Sequence, residues 1–116
     1  MKDKRISAVF YRTEAGTEPV RDWLKALDRE DRYKIGTDIK TVEFGWPVGM
    51  PTCRPMGSGL FEVRTDLSQG RIARVLLCIY EGKMVLLHGF IKKTQKTSKK
   101  DLDLAWKRKR KLEARE

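Results

Sequence analysis

Hydrophobic residues recur along this chain with two different periods, and the switch between them marks out the elements. Residues 5–12, Arg-Ile-Ser-Ala-Val-Phe-Tyr-Arg, are rich in β-branched and aromatic types and predict a first strand. Glu14 to Thr17 turn the chain, and Thr17, Glu18 and Pro19 form a helix-start signal with Thr17 as the N-cap. Val20, Trp23, Leu24 and Leu27 follow at i, i+3, i+4 and i+7, one apolar face of a helix over 18–27. Asp28 and Asp31 make a capping-box-like pair for a second helix over 29–44, which turns Tyr33, Ile35, Ile39 and Val42 inward. Periodicity is lost from Trp46 to Gly59, where three prolines and three glycines predict a loop.

From Leu60 the period becomes two. Leu60 to Thr65, Arg71 to Tyr80 and Met84 to Lys92 predict three consecutive antiparallel strands joined by short turns. Thr97 or Ser98 opens a C-terminal helix, with Ser98 and Asp101 as a capping box and Leu102, Ala105, Trp106 and Leu112 packing it partway. The order is β-α-α-β-β-β-α. It describes an α+β fold: a mostly antiparallel sheet, an N-terminal helical hairpin on one face and a C-terminal helix. No repeat and no second core pattern appears, so residues 1–116 are expected to form one domain.

Alternation also separates the faces of the sheet. Phe61, Val63, Ala73, Val75, Leu77 and Ile79 belong to a wholly apolar face expected to carry the helical pair. Met84, Leu86, His88, Phe90 and Lys92 share one face of the last strand. The face opposite the helical pair mixes apolar residues with Glu62, Arg64, Arg74, His88 and Lys92, and is expected to be solvated.

Composition narrows the class. The 116 residues carry 26 Lys and Arg against 16 Asp and Glu, a net charge of +10. The excess is regional: residues 88–116 carry 11 basic and 4 acidic groups. Such a concentration attracts polyanions, and nucleic acid is the natural partner. The longest apolar run, Val75 to Tyr80, is far short of a membrane span, and the first residues lack the apolar stretch of a secretory signal. A cytoplasmic protein without membrane contact is expected. Cys53, Cys78 and a single histidine do not supply a zinc site at paired spacings. No glycine-rich phosphate loop follows a strand, so no nucleotide cofactor is expected. Glu62 and Asp66 read as charge partners rather than a carboxylate pair. His88 is either structural or a general acid or base, because an imidazole titrates near neutrality.

The stretch Leu87-His88-Gly89-Phe90-Ile91-Lys92-Lys93-Thr94-Gln95-Lys96-Thr97 carries a resemblance. With Gly59-Leu60-Phe61-Glu62-Val63-Arg64 upstream, Arg74, the early Glu18-Pro19-Val20-Arg21-Asp22-Trp23-Leu24 segment and the Asp101 to Arg108 pattern, it resembles the phage-derived, HigB-like branch of the RelE/ParE toxin superfamily. The resemblance runs from about residue 7 to residue 110. It implies a helical hairpin packed on a mostly antiparallel sheet. It also implies the toxin of a type II toxin–antitoxin pair, a metal-free endoribonuclease that cleaves messenger RNA, usually on the ribosome. A cognate antitoxin, expected to be a small helix-turn-helix protein, would be its partner. The family's sheet-face arginines and the basic residues ending its last strand fall on Arg64, Arg74, Lys92 and Lys93. Many relatives use a tyrosine near the C-terminus, and this chain has none after Tyr80. That role passes to His88 or a lysine, or the activity is instead the gyrase poisoning of ParE-type members. A basic nucleic-acid-binding phage protein without activity is the third reading.

For RNA cleavage, the 2′-hydroxyl attacks the adjacent phosphorus. Arg64 and Arg74 would grip the phosphate through paired hydrogen bonds. Lys92 or Lys93 would act as base if neighbouring cations disfavour its protonated form, with His88 as the competing base or acid. Lys96, Lys99, Lys100, Lys107, Arg108, Lys109, Arg110 and Lys111 would hold the RNA backbone without reading sequence.

Overall fold

The computed structural model describes residues 3–47, 53–93 and 96–115. In chain order the elements are β1 (Ser7–Phe10), α1 (Pro19–Ala26), α2 (Arg29–Gly45), β2 (Cys53–Gly57), β3 (Leu60–Asp66), β4 (Ile72–Tyr80), β5 (Lys83–Lys92) and α3 (Lys99–Glu113). The strands form one sheet in the order β1-β5-β4-β3-β2, antiparallel except where β1 runs parallel to β5. This is the expected α+β architecture with one strand more. Within the segment expected to be a loop, Cys53–Gly57 pairs with β3 across an irregularity between Pro55 and Gly57. Residues 48–52 of that segment, and Thr94 and Gln95 of the motif after β5, lie outside the described residues. No helix among the described residues is long and apolar enough to cross a membrane.

The sheet separates two apolar clusters. On one face Val63, Ala73, Val75, Leu77, Met84 and Leu86 bury against Val20, Ile35, Ile39 and Val42 of the hairpin. On the other, Leu60, Leu76, Cys78, Val85 and Leu87 bury against Ala105 of α3, with Leu102 and Leu112 at its margin. Burial of a large aliphatic side chain contributes about 1.5–3 kcal/mol, so these clusters dominate cohesion. The second face is therefore roofed by α3 and is not the solvated surface expected of it.

Local signals account for the helix starts. The Asp28 carboxylate accepts the Asp31 amide at 2.8 Å, and the Ser98 hydroxyl accepts the Asp101 amide at 3.2 Å, as the two capping boxes require. Thr17 does not cap α1. Its hydroxyl lies 2.6 Å from that of Thr13, and Glu18 occupies the cap position with no side-chain bond. Tyr33 and Trp106 point outward, not inward, at 73% and 41% exposed, and Ile79 near the end of β4 is 37% exposed. Arg110 stacks on Trp106 at 4.8 Å, which gives that ring a partner outside the core.

Leu76 pairs with His88 but Leu77 pairs with Leu86, so Leu87 is an extra residue in β5. And Glu43 of α2, nearly buried, accepts the Ala8 amide of β1 at 2.7 Å and the Lys4 ammonium at 3.3 Å.

Candidate active site

The Leu87 bulge decides which side chains face α3. Met84 and Leu86 point to the hairpin, whereas His88 beyond the bulge bonds to a residue of α3. Strict alternation would keep all three on one face, so the expected grouping is corrected at Leu87. Gly89 then turns to the hairpin, where the Trp23 ring takes the space of a side chain: a Cβ there would lie 2.4 Å from it.

Two charged clusters lie between the sheet and the start of α3. In the first, Arg74 and Glu62 are both 0% exposed and paired at 2.9 Å. Arg54 reaches the same Glu62 oxygen at 3.1 Å, and the Thr97 hydroxyl donates to the other. Arg74 also meets Thr97 at 3.4 Å. This pair ties the segment leading into α3 to the middle of the sheet. Arg74 was expected on a wet face; it is sealed instead, because α3 and its lead-in cover that face.

In the second cluster Asp101 is the hub. Its Oδ1 lies 2.8 Å from His88 Nε2, and its Oδ2 accepts Lys92 Nζ at 2.6 Å and the Ser98 hydroxyl at 2.6 Å. Burial opposes its ionisation, but the bonds from Lys92, Ser98 and His88 and the Lys92 charge outweigh that and hold the carboxyl at about 2. Asp101 is therefore an anion at neutral pH. Its bond to His88 requires Nε2–H as the donor, which leaves Nδ1 with the lone pair in a neutral ring. Phe90 stacks on His88 with centroids 5.2 Å apart and lies 5.1 Å beneath the Lys92 ammonium. His88 remains 15% exposed and Lys92 36%. Lys92 is thus the ion-pair partner of the Asp101 anion.

The structure brings Arg74, His88 and Lys92 under the start of α3 and places Lys93 exposed just past β5. Arg64 stands apart. Its Nε lies 3.5 Å from Asp66, and it lines a groove against α2 with Tyr33, Lys34 and Asp38. Of the basic residues expected to hold nucleic acid, Lys96, Lys99, Lys100, Lys107, Arg110 and Lys111 are exposed. Arg108 and Lys109 turn inward: Arg108 donates to the Leu87 carbonyl at 2.7 Å, and Lys109 packs over Gly59 while pairing with Glu113 at 2.8 Å. Sequence reasoning missed Asp101 as the residue that orients His88, since its only local signal is the capping box. Thr97 and Arg54 were missed likewise, because their partner Glu62 lies 35 and 8 residues away. Burial pushes both thiols, Cys53 and Cys78, up to about 11, which leaves them unreactive at neutral pH.

Among described families, the model for Phage derived protein Gp49-like (DUF891) matches residues 22–110, a span that includes α2, the β2–β5 strands and the site. No curated protein matches the chain.

Proposed function

The chain belongs to the Gp49-like family of phage-derived proteins, and from that membership we propose that it is the toxin of a toxin–antitoxin pair, acting as a metal-independent endoribonuclease on messenger RNA at the ribosome. The observation that carries this reading is the Asp101 anion holding His88 and Lys92 side by side at the edge of a basic helix. His88 Nδ1 takes the proton of the 2′-hydroxyl as its oxygen attacks phosphorus. Lys92 and Lys93 offset the negative charge that builds on the phosphate. The bond from phosphorus to the 5′-oxygen breaks, and water protonates the departing oxygen. Asp101 keeps the imidazole in the tautomer this step needs. In this reading Arg74 is a structural cation that holds the floor of the site through Glu62.

The test is incubation with translating ribosomes followed by mapping of transcript ends. New ends are expected with the wild type. His88→Ala is expected to lower their yield by about 10²–10⁴-fold, the usual range for a lost acid–base group. Unchanged cutting by His88→Ala would sink the assignment. One observation favours a second reading, a nucleic-acid-binding protein or gyrase poison that cuts nothing: Arg74 is sealed and Arg64 diverges, so no two-arginine phosphate clamp forms. Transcript ends identical with and without the wild-type protein would favour it.

A further inference from the structure

A cleft of about 350 Å³ lies between the segment after β1 and α3, outside the site above. Its lining includes Tyr11, Glu14, Leu104, Lys107, Arg108 and Lys111. The α3 residues belong together by helix geometry, since positions 104, 107, 108 and 111 lie three or four apart on one side. Three cations therefore converge on one concavity against a single carboxylate. Arg108 is fixed there: its Nη1 holds the Leu87 carbonyl at 2.7 Å, and its guanidinium lies 5.9 Å from the Tyr11 ring centroid. The remaining N–H donors of a guanidinium point away from that anchor. Lys107 and Lys111 are exposed and form no ion pair among the described residues, unlike their neighbour Lys109.

We propose that this cleft is the subsite for the phosphodiester backbone of the RNA strand whose scissile linkage lies at His88; the proposal rests on the nuclease reading above. Two links join cleft and site. The Leu87 carbonyl gripped by Arg108 belongs to the residue next to His88. Asp101, which holds His88, precedes Lys107 by six residues on the same helix, about 9 Å of rise. A strand laid along α3 thus meets Lys107, Arg108 and Lys111 on leaving the imidazole. Buried Tyr11 and partly buried Leu104 form an apolar floor that suits ribose better than a hydrated free ion.

The experiment measures binding of a 2′-O-methylated single-stranded RNA across a salt series by fluorescence anisotropy. Attack by a 2′-hydroxyl cannot cut this probe, so failure of the nuclease reading leaves the result intact. Lys107→Ala/Lys111→Ala is expected to weaken binding at least about 10-fold and to flatten the plot of log affinity against log salt by about 1.4, two phosphates at about 0.7 each. Lys25→Ala/Lys40→Ala removes the same charge from the helical pair on the opposite face of the sheet and is expected to cost under about 3-fold. Glu14→Gln is expected to tighten binding by removing the one anion of the cleft. Equal losses from the two lysine pairs would reduce the effect to net charge and overturn the subsite. Weaker binding by Glu14→Gln would overturn it as well. Displacement of the probe by inorganic phosphate, at an ionic strength where chloride leaves it bound, would assign the cleft to free phosphate and overturn the strand.

Discussion

Asp101 closes its own helix cap, pairs with Lys92 and aims His88, all with one carboxylate. Its pH signature follows from its depressed value of about 2. An unfolded aspartate titrates near 3.9, so the stabilisation is fully present above about 4 and fades as pH falls toward about 2. Asp101→Asn is therefore expected to be less stable than wild type by about 1–3 kcal/mol at pH 6, the range for lost bonds between charged groups. The gap should shrink through the window from about pH 4 to about pH 2 in urea titrations at each pH. A gap of constant size would show that the carboxylate charge does not act in the fold. The capping role of Asp101 was legible because it is three residues long. Its reach to His88, thirteen residues back, was not, since it exists only once α3 has docked on β5. Arg74 makes the complementary point. An arginine at an alternating position reads as surface, and only the roof over it reveals a buried ion pair, whose loss costs stability.

At the scale of elements, the hairpin, four of the five strands and α3 were legible, because each carries a hydrophobic period, a β-branched and aromatic composition or a start signal. β2 was not, because Pro55 and Gly57 argue against a strand and its pairing depends on the neighbouring edge of β3. The extra residue at Leu87 was equally invisible: Leu87, His88 and Gly89 are compatible with unbroken alternation. Gly89 shows what the bulge arranges, for α1 approaches β5 only as closely as a missing side chain allows. Gly89→Ala is expected to push Trp23 and α1 away from the sheet and to cost about 1–3 kcal/mol, the range for overpacking a tight interface. Because His88 faces the opposite side, thermal unfolding should reveal the cost more clearly than any direct effect at the imidazole. An unaltered melting temperature would mean that Trp23 yields without strain.

Across the whole molecule, the sheet divides the work. One face is closed by the helical pair, and the other joins a small apolar core to a charged floor beneath a basic helix. The regional charge was legible in the sequence as an attraction for polyanions; how the cations are placed was not, because that depends on α3 pairing Lys109 with Glu113 and anchoring Arg108 on the Leu87 carbonyl. The carboxylate of Glu43 has a consequence at this scale. A sheet with free rims invites strands from other molecules, and here each rim is blunted in its own way. β2 carries Pro55, which has no amide hydrogen to offer, and on β1 the Ala8 amide is already taken by Glu43. Glu43→Ala should unseal β1 and favour self-association that grows with concentration, visible as rising light scattering relative to wild type. Identical scattering at every concentration would show that the seal is redundant. With the seal in place, strands of other molecules are turned away from the rim of β1, and crowded copies of the chain are denied a template for stacking edge to edge.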